Sequence, residues 1–118
     1  MKLKIKARGE IFSHDSDKES VTIGRSSEND FQIPLEDFSR KHCVVTFKGN
    51  YAFIMDLGSK NGVTIDGKRC TPHEQYPIYL NSKVILANHF EFILPDGTSI
   101  KEVEILDLDL AGIPGRKR

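Results

Sequence analysis

Three short polar blocks hold the side chains in this sequence best suited to chemistry: Gly24-Arg25-Ser26-Ser27, Ser39-Arg40-Lys41-His42 and Gly58-Ser59-Lys60-Asn61-Gly62. Each interrupts runs of strand-forming residues, so each is expected on a loop. Together they offer a guanidinium, hydroxyls, an ammonium, an amide and backbone N–H groups that glycine leaves open to close approach. That set suits a phosphate, whose acceptor oxygens are matched by charged and neutral donors. Taken singly the residues are ordinary: a solvated arginine, turn-forming Ser39 and Asn61, a lysine that keeps a loop soluble. A reaction centre is missing. Ser39 with His42, or His42 with Cys43, offers a nucleophile and a base, but neighbours in a strand point to opposite faces and neither pair has a third orienting group. His14, His42, His73 and His89 are scattered without ligand spacing, so neither a metal site nor a cofactor is expected. The chain reads as a binder and not as an enzyme.

Composition narrows the partner. Lys plus Arg and Asp plus Glu each number 17 in 118 residues, whereas nucleic-acid binders usually carry a basic excess; Arg116-Lys117-Arg118 reads as a solvated terminus. No apolar run approaches a membrane span, and Met1-Lys2-Leu3-Lys4-Ile5-Lys6 alternates instead of forming a signal-peptide core. The expected setting is intracellular, cytoplasm or nucleus, where Cys43 and Cys70 are expected to be buried and reduced.

The elements that must hold the blocks read as strands. Residues 2–8 alternate basic with apolar Leu3, Ile5 and Ala7, the period of a strand with one wet face. Residues 19–23 form a second candidate, and residues 30–33 a third that stops at Pro34. Residues 43–48 and 51–57 are joined by Gly49-Asn50, and residues 63–65 and 68–70 by Asp66-Gly67; both connections are hairpin signals. Residues 84–86 and 90–94 follow, with Pro95-Asp96-Gly97 as a turn. Residues 100–110 alternate Val103, Ile105, Leu108 and Leu110 with acidic side chains, with a phase shift at Leu106 that suggests a bulge or a strand end. No helical stripe is present. About ten short strands with frequent turns make an all-β sandwich the natural architecture. The basic face of residues 2–8 and the acidic face of residues 102–109 are either neighbouring strands or separately solvated. Residues 1–110 then form one domain, and residues 111–118 have the composition of a tail or linker to further chain.

The ordered set Gly24-Arg25, Ser39-x-x-His42 and Asp56-Leu57-Gly58-Ser59-Lys60-Asn61-Gly62 resembles the signature of the forkhead-associated (FHA) domain, and the resemblance runs over residues 2–94. It implies an all-β sandwich of about eleven strands in two antiparallel or mixed sheets, with phosphothreonine-binding loops at one end. By that resemblance Arg25 and Ser39 meet the phosphate, Arg40 adds a backbone N–H and a peptide contact, and Asn61 bonds the peptide backbone. Lys60 stands where the family often has Thr or Ser, and would replace a short hydroxyl contact by a longer, salt-sensitive one. His42 matches a scaffold histidine beneath the loops, while Gly24, Gly58 and Gly62 would permit tight conformations. Val63 stands where Thr is frequent, and Asn81-Ser82 where Gly-Asp is; Asn tolerates positive φ, so that turn is expected to survive. Without tryptophan, Phe47, Tyr51 and Phe53 are expected to supply the aromatic core. Glu36 and Asp37 are expected to disfavour acidic peptide flanks. The implied function is phosphothreonine-dependent recruitment of a partner protein by a monomeric module; the alternative is a phosphate-independent interaction module on the same fold.

Overall fold

The computed structural model describes residues 1–102. Eleven strands run in chain order: β1 (Lys2–Ala7), β2 (Glu10–Asp15), β3 (Ser20–Gly24), β4 (Phe31–Gln32), β5 (Cys43–Lys48), β6 (Tyr51–Asp56), β7 (Val63–Ile65), β8 (Lys68–Arg69), β9 (Gln75–Ile78), β10 (Val84–Leu86) and β11 (Phe90–Ile93). They form two sheets, one ordered β2-β1-β11-β10-β7-β8 and the other β4-β3-β5-β6-β9. The β3–β4 pair is parallel and the other pairs are antiparallel. The all-β sandwich with mixed pairing is therefore observed, and the core lies between the sheets.

Alternation explains most of it. Leu3, Ile5 and Ala7 of β1 face inward, as do Val21 and Ile23 of β3 and Cys43, Val45 and Phe47 of β5. The hairpin turns have the positive φ their residues permit, with Gly49 at 60°, Asp66 at 49° and Gly67 at 85°, as such tight connections require. Both cysteines are free thiols buried in the core.

Two strands lie outside the alternation. In β2 no side chain is fully buried, and Ile11 is 57% exposed, so an edge strand left no apolar period to read. Its turn was visible in Arg8-Gly9, whose φ values are 55° and 80°. In β9, Pro77 argues against a strand, yet β9 closes its sheet and an edge tolerates the missing N–H.

Other expectations are corrected. Tyr51 is 59% exposed and Phe53 only partly buried, while Phe31, Phe38, Phe47, Phe90 and Phe92 form the aromatic core. The register of β6 is the reason: Ala52, Ile54 and Asp56 point inward, so the odd-numbered residues cannot. The turn at Asn81 survives as expected, but for another reason: Ser82 donates its N–H to Tyr79 O and accepts Tyr79 N–H on Oγ, and Asn81 is not among the residues with positive φ. Ile100 to Glu102 form no strand, and residues 103–118, with the remaining C-terminal expectations, lie outside the described residues. Direct pairing of the charged ends is excluded along β1 from Lys4 to Lys6, where β2 and β11 occupy both edges.

Phe38 lies on the β4–β5 connection yet is only 1% exposed, with its ring 4.9 Å from Phe90 and 5.0 Å from His42. It seats that connection on the core. Phe38→Ala should cost about 3–5 kcal/mol, the usual range for removing a buried phenyl ring, read as a lowered urea midpoint with unchanged slope.

Candidate functional site

The strand order carries the three polar blocks to one end of the sandwich. Gly24 ends β3, His42 immediately precedes β5, and residues 57–62 join β6 to β7. The loops are laced by their backbones. Arg25 N–H donates to Ser39 O at 2.9 Å, and Ser26 N–H to Arg40 O at 3.2 Å. Arg25 Nε donates to Phe38 O at 3.1 Å. That bond anchors the stem of the exposed guanidinium while its two terminal nitrogens make no hydrogen bond among the described residues.

Ser39 joins the second block to the third. Its Oγ accepts Lys60 N–H at 2.9 Å, which leaves the hydroxyl hydrogen able to donate outward. Asn61 makes a second link, Nδ2 to Asp37 O at 2.9 Å; its Oδ1 and other amide hydrogen are engaged by none of the described residues. Arg25, Ser39, Lys60 and Asn61 are thus brought together. Arg40 is exposed beside them and contributes differently: its carbonyl, turned inward, takes Ser26 N–H and Asn29 Nδ2.

His42 lies beneath this surface with no exposure. Its Nδ1 accepts Ser39 N–H at 3.1 Å and its Nε2 donates to Gly62 O at 2.9 Å. A neutral ring protonated at Nε2 satisfies both bonds, so His42 cannot also serve as base for Ser39. Under the third block, buried Asp56 accepts Gly58 N–H, Ser59 N–H and the Ser59 hydroxyl, and Ser59 Oγ accepts Gly62 N–H at 2.9 Å. Gly58 and Gly62 both have φ of 81°, a conformation in which a side chain is strained.

At Gly24 the tight fit is one of close approach and not of its own dihedral. Its φ is not positive; instead a Cβ there would lie 2.2 Å from Arg40 O. The missing side chain lets two backbones touch. Residues that motif reading missed complete the scaffold. Asn29 is 8% exposed and ties Ser26 O to Arg40 O through Nδ2, its Oδ1 having no hydrogen-bond partner among the described residues. Arg69 of β8 packs on Gly62, where a Cβ would sit 2.6 Å from its Nε, and donates to Lys60 O at 3.3 Å. Nothing in the composition of a surface strand announces such a contact; for Asn29 the only signal was Asn-Asp just before an apolar run.

The electrostatics favour an anion. Arg25, Arg40, Lys60 and Arg69 gather at this end although the whole chain has a formal net charge of zero. Asp37 faces Arg8 at 3.8 Å, so its charge is partly met within the protein and Glu36 is left as the more open of the two acids. Burial drives the Cys43 thiol far up and the Cys70 thiol to about 11, so both remain protonated and unreactive at neutral pH. Among the described residues no cluster of three His, Cys, Asp or Glu has metal-binding geometry.

Burial is the first cause holding the His42 pKa below its usual value; Arg69 acts in the same direction, while the Gly62 carbonyl and Asp56 oppose it. Unfolded histidine titrates near about 6.5, so below that pH the unfolded chain binds the proton more readily. The resulting stability is complete above the unfolded value and is lost as pH falls through the folded one. The urea midpoint should therefore decline on acidification below about pH 6.5, and His42→Gln, although less stable, should flatten that part of the profile.

Comparison with known proteins agrees with this geometry. The chain is 31% identical over 75 residues to the FHA domain-containing protein FhaA of Mycobacterium tuberculosis, an alignment covering 64% of this chain and 14% of that relative. The FHA domain of CT664 from Chlamydia trachomatis superposes with a TM-score of 0.61 at 26% identity, over 80% of this chain and 99% of that one. Mycobacterium tuberculosis EmbR, solved in complex with a low affinity phosphopeptide, superposes with a TM-score of 0.62 at 21% identity, over 86% of this chain and 26% of that one. The family model for the FHA domain matches residues 21–87, more than half of the chain and all three laced loops, and the protein belongs to that family.

Proposed function

We propose that the laced loops bind a phosphothreonine peptide and thereby recruit a phosphorylated partner protein. The observation that carries this reading is the convergence of Arg25, anchored through Nε to Phe38 O, with Ser39, whose hydroxyl accepts Lys60 N–H. A preset fork of donors beside a hydroxyl that can still donate suits a dianionic phosphate. The complex of EmbR with a phosphopeptide supports this ligand class by likeness of fold.

Each site residue takes a role from its position. Arg25 and Ser39 donate directly to the phosphate oxygens. Arg40 meets the peptide through its exposed side chain. Lys60, its backbone fixed by Ser39, reaches the phosphate as a mobile ammonium. Asn61 keeps its Oδ1 and one amide hydrogen for the peptide backbone, the other being held by Asp37 O. His42, Gly24, Gly58 and Gly62 preserve the geometry and touch no ligand. The module acts as a monomer inside the cell, with neither nucleic acid nor a membrane as its target.

Three or four charge-assisted contacts of roughly 1.5–3 kcal/mol each, less the cost of ordering a peptide, lead to micromolar affinity, about −8 kcal/mol. A threonine methyl group adds only about 0.8 kcal/mol by transfer, so a stronger preference over phosphoserine requires shape constraint.

Arg25→Ala should weaken phosphopeptide binding by about 2–5 kcal/mol, the range for losing one partner of a desolvated charged pair. Its thermal midpoint should stay near the parent value, since the side chain is exposed. Isothermal titration with matched phosphorylated and unphosphorylated peptides tests this: equal binding of both would establish the phosphate-independent module instead.

Lys60 makes the binding salt-sensitive. Between ionic strengths of about 0.1 and 1 M the screening length falls from about 10 to 3 Å. Affinity of the parent protein should fall over that range, and Lys60→Ser should lose less. Parallel slopes for the two proteins would remove the ammonium from the site.

A further inference from the structure

A cleft of about 290 Å³ lies where β8 ends one sheet and β9 ends the other. Its floor is apolar and firmly seated. Ile65 and Tyr76 pack against the core, and the Tyr76 hydroxyl is fixed by accepting Thr71 N–H at 2.9 Å. The rim is basic, with Lys68, Arg69 and Lys101 all exposed. Asp66 is the one carboxylate among the described lining residues, and its Oδ1 accepts Lys83 N–H at 2.8 Å. Pro77 on the β9 edge has no N–H to give, which weakens backbone pairing with an incoming strand. Recognition in the cleft therefore falls on side chains, a large apolar group for the floor and carboxylates for the rim.

Arg69 joins this cleft to the pole that carries Arg25, Ser39, Lys60 and Asn61. It lines the cleft, and its Nη2 donates to Lys60 O at 3.3 Å. One side chain thus borders both surfaces, and a peptide held at Lys60 and Asn61 meets the cleft as it runs past Arg69. Resting on the reading of the loops as a phosphopeptide site, we propose that the cleft is a second subsite for the same peptide and takes one of its flanks. A large aliphatic side chain of that flank lies on Ile65 and Tyr76, and neighbouring carboxylates meet Lys68 and Lys101. An extended chain advances about 3.3 Å per residue, so this floor and rim are reached only several residues from the phosphate. Glu36, exposed on the β4–β5 loop, still disfavours acid close to the phosphothreonine; the acidic preference belongs to the distal residues alone.

Fluorescence anisotropy on the full chain tests this with labelled phosphothreonine peptides. Their distal residues carry Leu-Glu-Glu, Leu-Lys-Lys or Gly-Ser-Ser, placed on either flank, and each peptide has an unphosphorylated twin. On one flank Leu-Glu-Glu should bind about tenfold tighter than Gly-Ser-Ser, the size expected of one half-buried aliphatic group and two exposed ion pairs. Lys68→Glu with Lys101→Glu should reverse the order, so that Leu-Lys-Lys binds best, which a damaged fold would not do. Lys4→Glu with Lys6→Glu makes the same change of charge on β1, four strands from β8, and should keep the parent order. Phosphate-dependent binding with no preference among the blocks on either flank would overturn the subsite alone. Reversal in the Lys4 and Lys6 variant would reduce the preference to a long-range field and overturn it too. Equal binding of phosphorylated and unphosphorylated twins would take down the phosphopeptide reading, and the subsite with it.

Discussion

The loops hold together because a buried neutral imidazole is the right size and has the right two faces. His42 accepts from the Ser39 backbone and donates to the Gly62 backbone, joining two connections that are separated in sequence but adjacent in space. Neither bond could be left unmade at little cost, since a buried polar group without a partner is penalised by its full desolvation. The same reasoning applies to Asp56, whose carboxylate is buried and satisfied by the turn that it organises. A carboxylate and an imidazole inside an apolar sandwich are tolerable only because each is surrounded by backbone donors or acceptors. These groups make the surface above them rigid, and a rigid surface is what lets exposed side chains present donors without reordering.

The sandwich adds position to rigidity. Within each sheet the strands run so that the ends of β3 and β6 and the starts of β5 and β7 reach the same pole. Short links then add to those of His42: two backbone bonds join the β3–β4 loop to the β4–β5 loop, and Ser39 and Asn61 join the β4–β5 loop to the β6–β7 loop. Charge follows geometry. A chain with no net charge still gathers cations at one pole, where Asp37 is already engaged by Arg8, Asp30 is held by Lys18 and Thr22, and Glu36 is the acid left open. Whole-chain charge therefore understated the local field.

Sequence and structure agree most closely where one face of a strand is buried. β1, β3, β5, β10 and β11 were legible because burial on one side imposes a period of two. β2 and β9 were not, since an edge strand need satisfy neither period nor backbone donor on its open side. The aromatic core shows the same limit from within a correctly read strand. The composition of β6 said strand, but only packing could say that Asp56 faces inward, and that choice turned Tyr51 outward. Asn81 carried a plausible left-handed turn by its residue type; the actual turn is closed by Ser82 instead.

For the site, the residue order alone determined which side chains could meet an anion and that glycine would be needed among them, because donor chemistry and backbone freedom are properties of residue type. Only the tertiary structure decided that Arg25, Ser39, Lys60 and Asn61 share one surface, that Gly24 is required by the approach of the Arg40 carbonyl and not by its own φ, and that Asn29 and Arg69 belong to the scaffold. Those are facts of proximity between segments far apart in the chain. They follow from how two sheets pack, which no local pattern encodes.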